Sequence, residues 1–274
     1  MPLDAHEQNR RSGNAATRQH HTHIVDPVER FERNDRLYPE DRALLGDLHG
    51  QRVVHLQCND GQDTLSIARH LGGELTGVDI SDCAIEPARP LASGVNLPAA
   101  FVPNDLFDWL APQPPLYDVA YTSYGALFWL SSMHEWARGV SRILKPGGKL
   151  VVIEYHPLQN IFELDWTIGF PYMGGEGIDT GGVGDYVGND YDGAFKNRET
   201  SVEFAYGIGD ILGAILDAGL MLTHFREYPY MNGWKRFPNM IEREPGRFYL
   251  PESIPTLACM FSLTAIKPAP TTRD

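Results

Sequence analysis

An aspartate, Asp79, stands about twenty residues beyond a short polar turn, a spacing at which one carboxylate can accept both hydroxyls of a bound ribose. The turn runs from Cys58 to Asp63 and holds one glycine, Gly61. A pyrophosphate seat needs three glycines spaced GxGxxG, because phosphate oxygens must approach bare backbone at a helix start. Gln57 and Asn59 fill two of those places here. The turn therefore suits a nucleoside without phosphates, with Gln57, Asn59, Gln62 and Asp63 as hydrogen-bonding groups. Three further side chains, Tyr124, Tyr155 and His156, leave the ends of two later apolar runs. An imidazole titrates near neutral pH, so His156 is the candidate general base, and the two phenols could share its proton path. The plainer alternative makes His156 a polar contact orienting a ligand, or a structural histidine.

Those side chains need strands to carry them. Val53, Val54 and Leu56 read as a buried parallel strand, Leu65, Ile67, Ala68 and Leu71 recur at helical spacing, and Leu75 to Ile80 starts a second strand. Arg52 to Ser81 is thus a strand-helix-strand unit whose turn and acid face one crevice. Ser81 is a good cap for a helix over Cys83 to Leu91, which Pro87 and Pro90 should kink or shorten. A third strand is expected around Ala100 to Val102, with Asp105 in the turn after it, and a fourth over Tyr117 to Tyr121, leading into Thr122, Ser123, Tyr124 and Gly125. After a helix carrying Trp136, Val140 and Ile143, Lys149 to Tyr155 is the fifth strand; Leu220 to Glu227 and Cys259 to Ile266 are the sixth and seventh. Two long connections stand apart. Leu158 to Thr200 interleaves glycines with Tyr172, Tyr186 and Tyr191, and Tyr228 to Pro255 carries Tyr230 and Trp234. Loops of that length are usually functional, and we read both as a substrate cap. Residues 1–24 are polar and His-rich and read as a disordered tail, leaving 25–268 as one domain with cap insertions at about 158–205 and 228–257. Asp26 to Leu48, with Tyr38, reads as a helix pair over the crevice.

The 274 residues carry a formal net charge of -13, which argues against nucleic-acid or anionic-membrane partners. Cys58, Cys83 and Cys259 are odd in number, scattered, and show no metal-like pairing. They read as reduced thiols of a cytoplasmic protein, with no metal expected. Neither a signal peptide nor a membrane-spanning run is visible.

Five blocks in order, HLQC-x-x-GQDTL at His55 to Leu65, TGVDIS at Thr76 to Ser81, FVPNDLFDWL at Phe101 to Leu110, YDVAYTSYG at Tyr117 to Gly125 and ILKPGGKLVVIEYHP at Ile143 to Pro157, carry a family resemblance. The chain resembles the class I S-adenosylmethionine-dependent methyltransferases, in their small-molecule branch. The resemblance implies an α/β, Rossmann-like, seven-stranded, mostly parallel sheet of order 3-2-1-4-5-7-6 with helices on both faces. It implies S-adenosyl-L-methionine as cofactor, with Asp79 on the ribose, Asp105 accepting from the adenine amino group, and Ile80 and Leu106 on the ring faces. Asp105 as a helix cap is the alternative. His55 stands where most of the superfamily has an acid that contacts the amino-acid end. Ser123 borders the sulfonium, which Tyr124, Tyr155 and the lid tyrosines could steady with aromatic faces. Tyr38 by resemblance closes over the transfer site, and otherwise is lid packing. The implied activity is methyl transfer to a small, bulky or aromatic metabolite at an oxygen, nitrogen or carbon, in a protein that could form a homo-oligomer. Two alternatives are a catalytically silent nucleoside-binding protein and a nicotinamide-dependent dehydrogenase.

Overall fold

A computed structural model describes residues 4–22, 24–34, 37–184 and 195–269. Three helices open the chain: α1 (Ala5–His21), α2 (Pro27–Asn34) and α3 (Pro39–Leu45). The alternating region follows as β1 (Arg52–Leu56), α4 (Gln62–Leu71), β2 (Glu74–Asp79), α5 (Asp82–Gly94), β3 (Ala99–Pro103), α6 (Leu106–Leu110), β4 (Tyr117–Ser123), α7 (Met133–Ile143) and β5 (Leu144–Tyr155). After β6 (Gly177–Thr180) and β7 (Ser201–Phe204) come α8 (Ile208–Asp217), β8 (Met221–Tyr228), β9 (Tyr230–Asn232), β10 (Ile241–Glu244), β11 (Arg247–Tyr249) and β12 (Met260–Ile266).

The main sheet has the order β3-β2-β1-β4-β5-β12-β8, and β12 runs antiparallel to both of its neighbours. Counting only its seven strands, this is the expected order 3-2-1-4-5-7-6. Helices cover both faces, so β1 is buried along Val53 to Leu56 and reads as a continuous apolar run broken only by His55. One face packs Val54, Leu56, Val152 and Phe261 against Trp136, Val140 and Ile215 of α7 and α8. The other packs Val53, Tyr121 and Ile153 against Leu45 and Ile67. The carboxyl ends of β1 to β5 therefore open on one crevice, where ligands of such sheets bind.

Three expectations change. The segment read as a disordered tail contains α1, capped by Asp4, whose buried face is Asn9, Ser12, Asn14, Ala16, Thr17 and His20. That face is polar and is held by hydrogen bonds rather than apolar area, so composition gave no sign of it. α5 runs unbroken through Pro87 and Pro90, because Ile85, Ala88, Leu91 and Ala92 pack it against Phe31 and Phe101 and outweigh the lost backbone bonds. The two long connections are not structureless, since β6 and β7 form an antiparallel pair and β10-β11-β9 a small antiparallel sheet. Tyr186 and Tyr191 lie outside the described residues.

Candidate active site

The turn after β1 is built on left-handed backbone at Gln57, Asn59 and Gly61, with φ of 56°, 50° and 75°. Glycine is required at 61 for a second reason: a Cβ there would overlap the ring of Phe101. Asp79 closes the turn. Its Oδ2 accepts from Asn59 N at 2.8 Å and its Oδ1 from Ser81 N at 2.8 Å. Burial raises its pKa against those two bonds. Each oxygen retains a lone pair for a further donor, such as a ribose hydroxyl. Gln57 donates to Ala126 O at 2.8 Å, tying the turn to the end of β4, Gln62 donates to Asp60, and Asp63 is exposed in the first turn of α4. Ile80 is half-buried and Leu106 buried at the tips of β2 and β3.

His55 does not reach solvent. Its Nδ1 lies 2.8 Å from Thr64 Oγ1 and its Nε2 3.2 Å from Ser123 Oγ, and burial pushes its pKa down to about 3. This neutral imidazole pins α4 and β4 to β1 and occupies Ser123, so it acts on the crevice through other groups.

Asp105 is a helix cap, one of the two roles read for it in the sequence. Its Oδ1 caps α6 through Phe107 N and Asp108 N at 2.8 and 3.2 Å. Its Oδ2 lies 2.7 Å from His6 Nδ1 of α1, and the His6 ring stacks on Phe107 at 5.1 Å and 11°. Burial opposes charge on His6, but the bond to Asp105 and the surrounding carboxylates leave its pKa raised. From there α1 crosses the crevice mouth. Asn14 donates to Asp82 Oδ1 at 2.7 Å and accepts from Ser81 Oγ at 2.7 Å, beside the first turn of α5. On its other side Gln8 donates to Thr200 Oγ1 at 2.6 Å, and Asn9 both donates to and accepts from the Val202 backbone, at 2.9 and 2.7 Å. One helix thus bridges the crevice and the β6–β7 pair, and sequence reasoning missed His6 entirely.

An aromatic wall stands at the end of β4. Tyr124, itself left-handed at φ 48°, lies between Tyr38 and Tyr155, with ring centroids 5.9 and 6.0 Å away, and Tyr155 meets Trp234 at 4.9 Å. Behind the wall is a group that sequence reasoning also missed. The Asp41 carboxylate accepts from Tyr121 Oη at 2.7 Å, Tyr124 Oη at 3.1 Å and Tyr38 N at 2.9 Å. Burial lifts its pKa to about 6 against those bonds. Both phenols are raised well above 10 by burial and by Asp41, so they remain protonated. Neighbouring Glu40 accepts from Tyr230 Oη at 2.7 Å and Asn232 Nδ2 at 3.1 Å and pairs with Arg247 at 2.6 Å. Tyr38 donates to Gly246 O at 3.3 Å and Tyr155 to Asn232 O at 2.9 Å.

Glu154 sets the backbone of the wall. Its carboxylate accepts from the N–H groups of Gly125, Ala126 and Leu127, the last two at 2.6 and 3.1 Å, holding the turn in which Tyr124 sits. His156, just past the end of β5, caps the short turn at Pro157–Ile161. Its Nδ1 accepts from Leu158 N at 3.1 Å, its Nε2 lies 2.9 Å from Glu227 Oε1 at the far edge of the sheet, and its ring meets Phe261 edge-on. Burial lowers its pKa, opposed by Glu227. Tyr155 meets the wall, whereas the His156 ring serves Leu158 N and Glu227, contacts that favour the alternative of a structural histidine.

Beyond Tyr155 a cavity of about 220 Å³ opens under the cap, lined by Phe128, Tyr155, Phe170, Tyr172, Phe204 and Glu203 among others. Tyr172 accepts from Ile208 N at 3.1 Å and so is fixed in the cavity wall.

A seven-stranded sheet of this order, with carboxylates at the tips of two adjacent strands, is the class I methyltransferase type of fold. Residues 53–148 match the family described as a methyltransferase domain. Among curated proteins, an S-adenosyl-L-methionine-dependent Diels-Alderase from Talaromyces variabilis is 36% identical over 110 residues, 38% of this chain and 36% of the relative. A ubiquinone biosynthesis O-methyltransferase from Proteus mirabilis is 28% identical over 122 residues, 44% of this chain and 48% of the relative. The chain thus spans about a third to a half of these relatives. Among solved structures, a putative S-adenosylmethionine-dependent methyltransferase from Listeria monocytogenes superposes with TM-score 0.59 at 17% identity, covering 83% of this chain and 95% of that one. A geranyl diphosphate C-methyltransferase from Streptomyces coelicolor A3(2) superposes with TM-score 0.56 at 14% identity, covering 97% and 98%. At such identities the likeness shows the fold.

Proposed function

We propose that the protein transfers a methyl group from S-adenosylmethionine to a small, bulky or aromatic metabolite held in the cavity under the cap, in the cytoplasm and without nucleic-acid or membrane partners. The observation that carries this reading is the place of Tyr155, whose ring meets Tyr124 at the end of β4 and also lines the cavity under the cap. When bound, the cofactor supplies an activated methylsulfonium, so the protein's task is to align the acceptor and exclude water. Asp79 and Asp105 hold the ribose and adenine ends, flanked by Ile80 and Leu106. The faces of Tyr124 and Tyr155 steady positive charge at the transfer point. An acceptor proton passes to the Tyr124 oxygen as the Tyr124 proton passes to Asp41, whose pKa of about 6 suits a base near neutrality. Helix α1 and the cap segments 158–205 and 228–257 shut out solvent. Incubation with labelled methyl donor and a metabolite panel tests this: label must appear in an acceptor, and calorimetry must show S-adenosylhomocysteine binding without NAD binding.

A second reading also has a specific observation behind it. The relative at 36% identity is named as a Diels-Alderase, and the cavity here is walled largely by aromatic side chains. In that reading the nucleoside is retained while the cap folds a substrate, so product mass equals substrate mass; product one methylene heavier favours transfer.

A further inference from the structure

The β6–β7 pair has two faces with different work. Ile178 pairs with Glu203 and Asp179 with Val202, so alternate residues project to opposite sides. Asp179 reaches Gln8 of α1 at 3.2 Å. Ile178, Thr180 and Glu203 line the cavity on the other side.

Three charged groups border that cavity, and two are already committed. Glu154 is held by the backbone N–H groups of the turn after β4. The Arg236 guanidinium donates to Gln159 O at 2.9 Å and Phe162 O at 3.1 Å and lies over the rings of Trp234 and Phe237 at 5.4 and 5.2 Å. Glu203 is different: among the described residues its carboxyl makes no hydrogen bond or ion pair, and Arg236 influences it only at longer range. Glu203 is half-buried, and burial lifts its pKa. It is a ready acceptor facing an apolar space.

We propose that Glu203 is the head-group anchor of the cavity, which takes a small aromatic or alicyclic molecule bearing a hydrogen-bond-donating head, an ammonium or hydroxyl, and rejects the same body bearing an anionic head. The inference deepens the methyl-acceptor reading and rests on it only in assigning this ligand to the acceptor. With the head on Glu203, the ring lies against Phe128 and Phe204, and the site discriminates through one uncommitted carboxyl rather than through shape alone.

Three probes sharing one ring, 2-phenylethylamine, 4-ethylphenol and phenylacetate, test it by calorimetry on the full chain, with and without saturating S-adenosylhomocysteine. The amine and the phenol should bind, the amine roughly tenfold or more tighter than phenylacetate. Glu203→Gln should remove most of that preference, whereas Asp179→Asn, on the outer face, should keep it. Equal binding of amine and phenylacetate overturns the proposal, as does binding of none of the three at millimolar concentration, or a preference that survives Glu203→Gln. Should that variant fail to fold, the head-group series on the wild type decides alone. A head-group preference without S-adenosylhomocysteine binding removes the cofactor reading and leaves the Glu203 site standing; the reverse pattern removes the Glu203 site only.

Discussion

His6 Nδ1 lies 2.7 Å from Asp105 Oδ2, so a residue at the start of the chain engages the carboxylate that ends the β3 turn. The folded-state pKa of His6 is raised, and the charged pair therefore contributes fully below the unfolded value and is lost as pH rises through the folded one. Helix α1 should open more readily at about pH 8.5 than at about pH 6. Hydrogen exchange at amides 5–21, corrected for intrinsic rates, measures this, and His6→Ala should remove the pH difference.

Asp79→Ala should lower cofactor affinity roughly tenfold or more, about 1.4 kcal/mol. The same change strands the N–H groups of Asn59 and Ser81, so thermal stability should fall as well. Asp79→Asn keeps most of the shape and separates the two effects. Calorimetry with S-adenosylhomocysteine that shows unchanged affinity removes Asp79 from the ribose site.

Asp41 gives two pH signatures of opposite sign. As the proton acceptor behind Tyr124, it should make turnover rise with pH through about 6, and Asp41→Asn should flatten that limb. For stability, a carboxyl raised from 3.8 to about 6 binds its proton better folded than unfolded. Its contribution is present below 3.8 and declines as pH rises through about 6. Denaturant titrations of wild type and Asp41→Asn across that range should show their difference shrinking and then levelling off.

His156→Ala should leave turnover intact at every pH and cost about 1–3 kcal/mol of stability, because the ring serves Leu158 N and Glu227 rather than the crevice. A rise of turnover with pH that His156→Ala flattens would restore the imidazole as a base.

What the sequence could convey follows from what pattern encodes. The strands were legible because apolar runs mark them, and their order was what the family resemblance implied. Tyr155 and His156 were both read at the crevice, because adjacent positions at a strand end look alike in sequence; in the fold the His156 ring meets Phe261 and Glu227 of neighbouring strands. Asp41 was invisible because Tyr121, 80 residues away, supplies its principal partner. Helix α1 was misread because its contacts are polar, and Glu203 sits in a stretch whose glycines conceal a strand pair.

The double attachment of α1, to the α5 terminus through Asn14 and to the β6–β7 pair through Gln8 and Asn9, links two events that could otherwise be independent. Under the proposed function, swinging the helix aside to admit or release the nucleoside would pull on the same strands that line the cavity. Kinetics should therefore be compulsory-order, with the nucleoside first on and its spent form last off, and product inhibition by S-adenosylhomocysteine competitive with the donor alone.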